Sequence, residues 1–281
     1  MKGFALMALL IASAANAQTV LFSTGHPDGR VGMASRPSGA FGSEREADDD
    51  FLLAHATSIT NATFAGLLPR GSTAADISQV TVEMYRVYPL DSNQPASGRV
   101  PTRTNSPSDV AFESRTSGSG LTYTATTLGD FFVSNSVVDG IHPSPGNQTG
   151  GDGPVSGTEF SFSVDFLTPF VLPTDHYFFV PQVALTNGTF LWLSAPRPIA
   201  SPGTPFTPDL QAWIRSSELA PDWLRVGTDI VGAGSFNGVF SLAGTLDATP
   251  TVAEPASLAL VLSGLLGLAL TRRREPASHR R

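Results

Sequence analysis

The sequence predicts an all-β fold: an antiparallel β-sandwich of jelly-roll type with one short helix, flanked by an N-terminal signal peptide and a C-terminal transmembrane helix. Apolar and polar residues alternate with period two through the middle of the 281-residue chain. Turn-forming residues, 27 Gly and 22 Pro, separate many of these stretches. Each end carries an apolar run of its own. We therefore assign residues 18–246 to one secreted domain.

The first 17 residues have the three parts of a secretory signal. Lys2 precedes an apolar run over residues 4–11, and Ala15 and Ala17 provide the small residues of a cleavage site. We expect signal peptidase to cut after Ala17, so that the mature chain begins at Gln18.

The strand predictions rest on alternation. In the clearest case, Glu159 to Phe166, every second residue is apolar. Similar alternation predicts strands around residues 80–84, 121–125 and 240–246, and continuous apolar runs at 177–180 and 190–193 predict strands covered on both faces. Long connections at 90–107, 141–154 and 195–208 are typical of crossings between sheets.

The single predicted helix spans residues 208–219. Thr207 can cap it, Pro208 suits its first position, and Leu210, Trp213 and Ile214 would share one face.

After a linker at 247–253, residues 256–270 form an uninterrupted apolar run. As a helix it covers about 22 Å, less than the roughly 30 Å hydrocarbon core, which predicts a marginal span. Arg272, Arg273 and Arg274 follow directly, so the positive-inside rule predicts a cytoplasmic tail at 275–281 and the large domain outside.

This tail resembles the PEP-CTERM sorting signal over residues 254–274. The sorting motif is Glu254 and Pro255, with Ala253 in place of the first proline, followed by the apolar run and the three arginines. The resemblance implies an exosortase-type sorting enzyme as partner, anchoring at least for a time in the inner membrane, and delivery to the cell envelope or beyond. Segments 46–51, 82–87, 101–109 and 176–181 also look similar to uncharacterised secreted proteins that carry such tails.

Charge and cysteine content exclude some functions. Residues 18–253 contain 11 Arg, no Lys and 22 Asp plus Glu, a net charge of −11, which disfavours nucleic acid as a partner. The chain has no Cys, so neither disulfides nor thiolate metal sites can form.

The densest acidic segment, from Glu44 to Asp50, suggests a structural calcium site. We expect Asp49, Asp50 and Asp247 as its ligands, with a solvated loop as the alternative. The five histidines have no zinc-site spacing, and we expect no other cofactor.

No nucleophile motif is present, so we predict no catalytic residues and no enzyme. Two carboxylates that meet only in the fold could still form a polysaccharide hydrolase. Trp213 and Trp223, near proline-rich segments, are the best candidates for stacking on an extracellular polysaccharide, and core packing is the alternative. The expected function is therefore a structural or adhesive surface or matrix protein, with a carbohydrate-binding module as the second hypothesis.

Overall fold

The computed structural model describes residues 19–39, 42–142, 144, 146–197 and 210–246. Ala15, Ala17, the linker with Asp247, and the sorting segment with Glu254, Pro255, Arg272, Arg273 and Arg274 lie outside these ranges. All described residues belong to the first of two units into which the chain divides after Leu246. Within the described residues, no helix combines the length and the apolar character that a membrane crossing requires.

The described residues are mainly strands. They are β1 (Thr19–Ser23), β2 (Val31–Ala34), β3 (Arg45–Leu53), β4 (Thr57–Leu68), β5 (Ile77–Arg86), β6 (Glu113–Thr116), β7 (Leu121–Val133), β8 (Asn135–Val137), β9 (Val155–Leu172), β10 (Asp175–Leu185), β11 (Leu191–Ala195), β12 (Trp213–Ser216), β13 (Leu224–Arg225), β14 (Asn237–Gly238) and β15 (Phe240–Leu246). A 3₁₀ turn at Ala74–Asp76 and a π-helical turn at Val226–Val231 complete the described elements.

Nine strands form a large sheet centred on β4. One side of β4 pairs with β9, which pairs in turn with β7. The other side pairs with β15 and, near its end, with β11. Strand β1 extends the sheet from β15, and β2 and β8 extend it from β11. The β2–β8 pair is parallel, which departs from the fully antiparallel prediction.

Six strands form a small sheet in the order β13-β12-β3-β10-β5-β6, with every pair antiparallel. Strand β3 therefore has a neighbour on each side. This position matters for function because β3 carries most of the acidic segment.

The two sheets share one apolar core. Phe51 and Phe179 of the small sheet contact Phe240 of the large sheet, with ring centroids 6.2 and 4.9 Å apart. In β9, Phe160, Phe162 and Val164 are fully buried while the residues between them face outward, which confirms the predicted alternation. Throughout, the outer face of a sheet means the face turned away from the other sheet.

The helix predicted at residues 208–219 is wrong where the structure describes it. Trp213–Ser216 is strand β12, which pairs with both β3 and β13. Trp213 and Ile214 are adjacent and both buried, because this strand is covered on both faces. Short apolar runs of that kind suit a helix and a strand equally well, so their periodicity could not decide between them.

Candidate functional site

The acidic segment is not a solvated loop. It forms β3 inside the small sheet, where Asp48, Asp49 and Asp50 each have 0% of their surface exposed. Pairing with β12 and β10 holds these residues in place. The alternative of an exposed charged loop is therefore wrong.

Strand alternation separates the predicted calcium ligands. Asp49 points between the sheets and accepts a hydrogen bond from the Gly238 backbone N–H at 3.0 Å. Asp50 points to the outer face, where its carboxylate accepts from the Gln211 N–H at 2.7 Å and lies 2.7 Å from His176 Nε2. The two carboxylates are therefore not brought together.

The proposed third ligand, Asp247, lies outside the described residues. In the part of the chain that the structure describes, no three His, Asp or Glu side chains are grouped as a metal ion requires. Burial raises the pKa of the Asp48, Asp49 and Asp50 carboxyls, which favours their protonated form. Because the Asp49 and Asp50 carboxyls lie on opposite faces of β3, the calcium site stays a prediction without support from this geometry.

The predicted sugar platform is also absent at its expected place. Trp213 and Trp223 are 1% and 0% exposed and pack in an apolar cluster on the outer face of the small sheet. The other buried members of this cluster are Tyr85, Phe178 and Val180. Trp213 lines a pocket of about 370 Å³ with Thr102, Thr104, Asn105, Gln211 and Arg225, but with 1% of its surface exposed it has no open ring face for a sugar to stack on. The core alternative therefore describes both tryptophans correctly.

A network of polar side chains packs against this cluster. The Tyr85 hydroxyl donates to Glu46 at 2.7 Å, and Arg215 donates both to Glu46 and, at 2.9 Å, to the Tyr85 oxygen. The Arg215 guanidinium also lies 4.3 Å above the Trp223 ring. These contacts satisfy the buried groups with one another, which indicates a structural role.

Glu83 adds a second carboxyl beside this network. Burial and the nearby Glu46 carboxylate raise the pKa of Glu83 to about 7. Gln182 approaches the same carboxyl, with Nε2 3.4 Å from Oε2. Glu83 is thus poised to change its protonation state near neutral pH.

The open candidate site lies on the outer face of the large sheet. A groove of about 330 Å³ crosses β9, β4 and β15. Residues with small side chains on this outer face, including Ala65 and Ser161, leave the space that forms the groove. The polar groups that line it are His26, Ser23, Thr63, Glu159, Ser161 and Ser241.

The groove combines hydroxyl groups with one acid. Thr63 and Ser241 are cross-strand partners whose hydroxyl oxygens are 2.6 Å apart. Partial burial raises the pKa of Glu159. His26 is exposed at the rim, in the segment that follows β1. Hydroxyl donors and acceptors around an open groove can bind a polyhydroxylated ligand through several hydrogen bonds.

Sequence reasoning missed this groove, although a signal was present. In the alternating segment 159–166 the outward positions are Glu159, Ser161, Ser163 and Asp165, all small or acidic polar residues, and the first two of them line the groove. The sequence does not show which residue lies beside Ser161 in the sheet. Only the pairing register of β4 and β9 places Ala65 opposite it.

Comparison of the chain with protein-family models, with curated proteins and with solved structures gave no match.

Proposed function

We propose that this protein is exported and then sorted by its C-terminal signal to the cell envelope or the extracellular matrix, where it has a structural or adhesive role. The observation that carries the proposal is the ordered tail: Glu254 and Pro255, the apolar run 256–270, and the arginines 272–274. Signal peptidase and an exosortase-type enzyme are the processing partners in this account.

The extent of the folded domain supports the proposal. Strand β1 begins at Thr19, two residues after the expected cleavage site, and β15 ends at Leu246, just before the expected linker. The two strands pair, with Thr19 opposite Gly244. Removing either terminal segment would therefore leave every described strand intact.

The fold and its buried groups support a non-enzymatic role. Two sheets on a shared core favour a β-sandwich, and a jelly-roll strand order is proposed with it. Glu46, Asp49 and Asp50 accept internal hydrogen bonds, and the aromatic residues of the small sheet pack in apolar clusters, as expected of a scaffold without disulfides.

Replacing Arg272, Arg273 and Arg274 by Ala tests the sorting proposal. Without these three arginines the apolar run lacks the charge that orients it in the membrane. We therefore expect the protein to accumulate unprocessed or in a different cell fraction from wild type. Cell fractionation with an antibody to the domain measures this, and replacement of Arg280 and Arg281 is the matched control. Unchanged fractionation of the triple variant would count against a sorting role for the tail.

A second candidate function, carbohydrate binding, is favoured by the hydroxyl-lined groove. We propose that the groove between His26 and Glu159 binds a polysaccharide of the host's own matrix. The sugar hydroxyls would exchange hydrogen bonds with Thr63, Ser161 and Ser241, and Glu159 would accept further bonds. This places binding on the large sheet instead of at the two tryptophans.

Affinity electrophoresis in gels that contain the host's polymer tests this candidate. We expect the wild-type protein to be retarded, and Glu159→Gln to bind at least about fivefold more weakly because a charged acceptor is lost. Ser163→Ala, two outward positions further along β9 than Glu159 and not a lining residue, is the control. Equal mobility with and without polymer would exclude the groove as a binding site for that polymer, and release of sugar products would favour a hydrolase.

A further inference from the structure

The groove on the large sheet contains a carboxyl group whose charge is not compensated. Glu159 lines the groove from the outer face of β9 and is partly buried. Among the described residues, its side chain has no ion pair and no hydrogen bond. Burial raises the pKa of this carboxyl, and no neighbouring cation lowers it again. A cation seated in the groove would supply the missing partner.

The protein itself provides no such cation in the described part of the groove. The lining residues include neither Arg nor Lys. The arginines that follow the lining segments in the chain are already paired, Arg30 with Asp28 at 3.7 Å and Arg70 with Asp130 at 3.3 Å. Residues 18–253 also have a net charge of −11. The domain therefore attracts a cationic ligand and repels an anionic one.

We propose that the groove selects a polysaccharide built from amino sugars, with a free ammonium group of the sugar seated against the Glu159 carboxylate. An ammonium group donates charge-assisted hydrogen bonds to a carboxylate, which are stronger than those of a neutral hydroxyl. An acidic polymer would place a like charge against the same carboxylate. This ligand class rests on the proposed carbohydrate-binding function and narrows it to one kind of sugar.

The other lining groups favour an amino sugar over a simple amine. The Ser161 hydroxyl lies two residues from Glu159 on the same face, about 7 Å along β9. Thr63, whose hydroxyl contacts that of Ser241, lies four residues along β4 from the position opposite Glu159. Leu128, 57% exposed, offers an apolar contact for the C–H groups of a sugar ring. A ligand with one amine and several hydroxyls on a partly apolar ring matches this set.

Isothermal titration calorimetry of the protein purified from its host, with three short oligomers, tests the ligand class. The oligomers are a glucosamine tetramer, the same tetramer with every nitrogen acetylated, and a glucose tetramer. Only the first is cationic, and its amines are protonated at pH 6. We expect it to bind at least about tenfold more tightly than either neutral tetramer, as one charge-assisted hydrogen bond provides.

Two variants locate the source of this preference. Glu159→Gln keeps the shape of the side chain and removes its charge, so it should bind all three tetramers within about twofold of one another. Its melting temperature should equal or exceed that of wild type, because a partly buried charge is removed. Asp165→Asn is the matched control, since it removes the same charge from the outer face of β9 about 20 Å away. This variant should keep the tenfold preference.

The outcomes separate the ligand class from carbohydrate binding itself. A neutral tetramer that binds as tightly as the glucosamine tetramer would overturn the amino-sugar inference and still support carbohydrate binding. A preference that survives in Glu159→Gln, or one that Asp165→Asn loses equally, would also overturn it, because the attraction would then come from the acidic domain as a whole. Spermidine that binds as tightly as the glucosamine tetramer would show that the hydroxyl groups contribute nothing, which contradicts a sugar ligand. If none of the tetramers binds, the carbohydrate-binding function fails together with the inference.

Discussion

At the scale of single residues, the domain is unusual in burying carboxyl groups that have few charged partners. Asp48 is fully buried, and neither of its side-chain oxygens has a hydrogen-bond partner among the described residues. Burial raises the pKa of this carboxyl, as it does those of Asp49, Asp50 and Glu83. Folding is therefore coupled to proton uptake.

This coupling predicts how stability depends on pH. The pKa of Glu83 rises from 4.5 to about 7 on folding, so the folded state holds a proton that the unfolded chain has released. Protonated Glu83 therefore contributes its full stabilisation of the fold below pH 4.5. This contribution, at most about 3 kcal/mol, is lost as the pH rises through about 7. Glu83→Gln should reduce the fall in the free energy of unfolding with rising pH, and it should make the protein more stable than wild type at pH 8.

Chemical denaturation between pH 5 and pH 8 measures the effect. Glu218→Gln is the matched control, since Glu218 is exposed in the turn after β12. A Glu83→Gln variant that keeps the full wild-type slope would show that Glu83 does not bind the proton taken up on folding.

At the scale of elements, alternation predicted strands with one wet face, such as β9, and continuous apolar runs predicted β10 and β11, which are covered on both faces, whereas the buried acidic strand β3 was not predicted. The segment 159–166 alternates because only one side of β9 meets the core. For β3 a run of acids predicts a calcium site or a solvated loop and not a buried strand, because its burial depends on partners 120 to 170 residues away, such as His176 and Trp213. Sequence patterns within a segment carry no information about such partners.

The candidate site follows the same rule. Trp213 and Trp223 are the predicted sugar contacts, but their contacts are internal: Trp223 packs against Tyr85 and donates to the Ser108 carbonyl, and Trp213 lies in the same apolar cluster. The groove was missed because its depth arises where small residues of separate strands become neighbours. Alternation can identify an outward serine such as Ser161, whereas only the sheet register identifies a groove.

At the scale of the whole molecule, an acidic two-sheet domain is flanked by terminal segments that, in our proposal, direct its export. The described domain runs from Thr19 to Leu246, and its first strand, β1, pairs with its last strand, β15. A large shared core takes the place of the disulfides that the cysteine-free chain cannot form. In this arrangement each terminal segment can be removed after it has served its purpose.

Mass spectrometry of both termini of the native protein tests whether it is exported and whether its tail is then processed. The protein would be recovered separately from the membrane and the extracellular fractions of its host. We expect an extracellular form that begins at Gln18 and ends near Glu254, without Arg272, Arg273 and Arg274. A protein found only in the membrane fraction that still carries the three arginines would contradict processing, and one that retains residues 1–17 in the cytoplasm would contradict export itself.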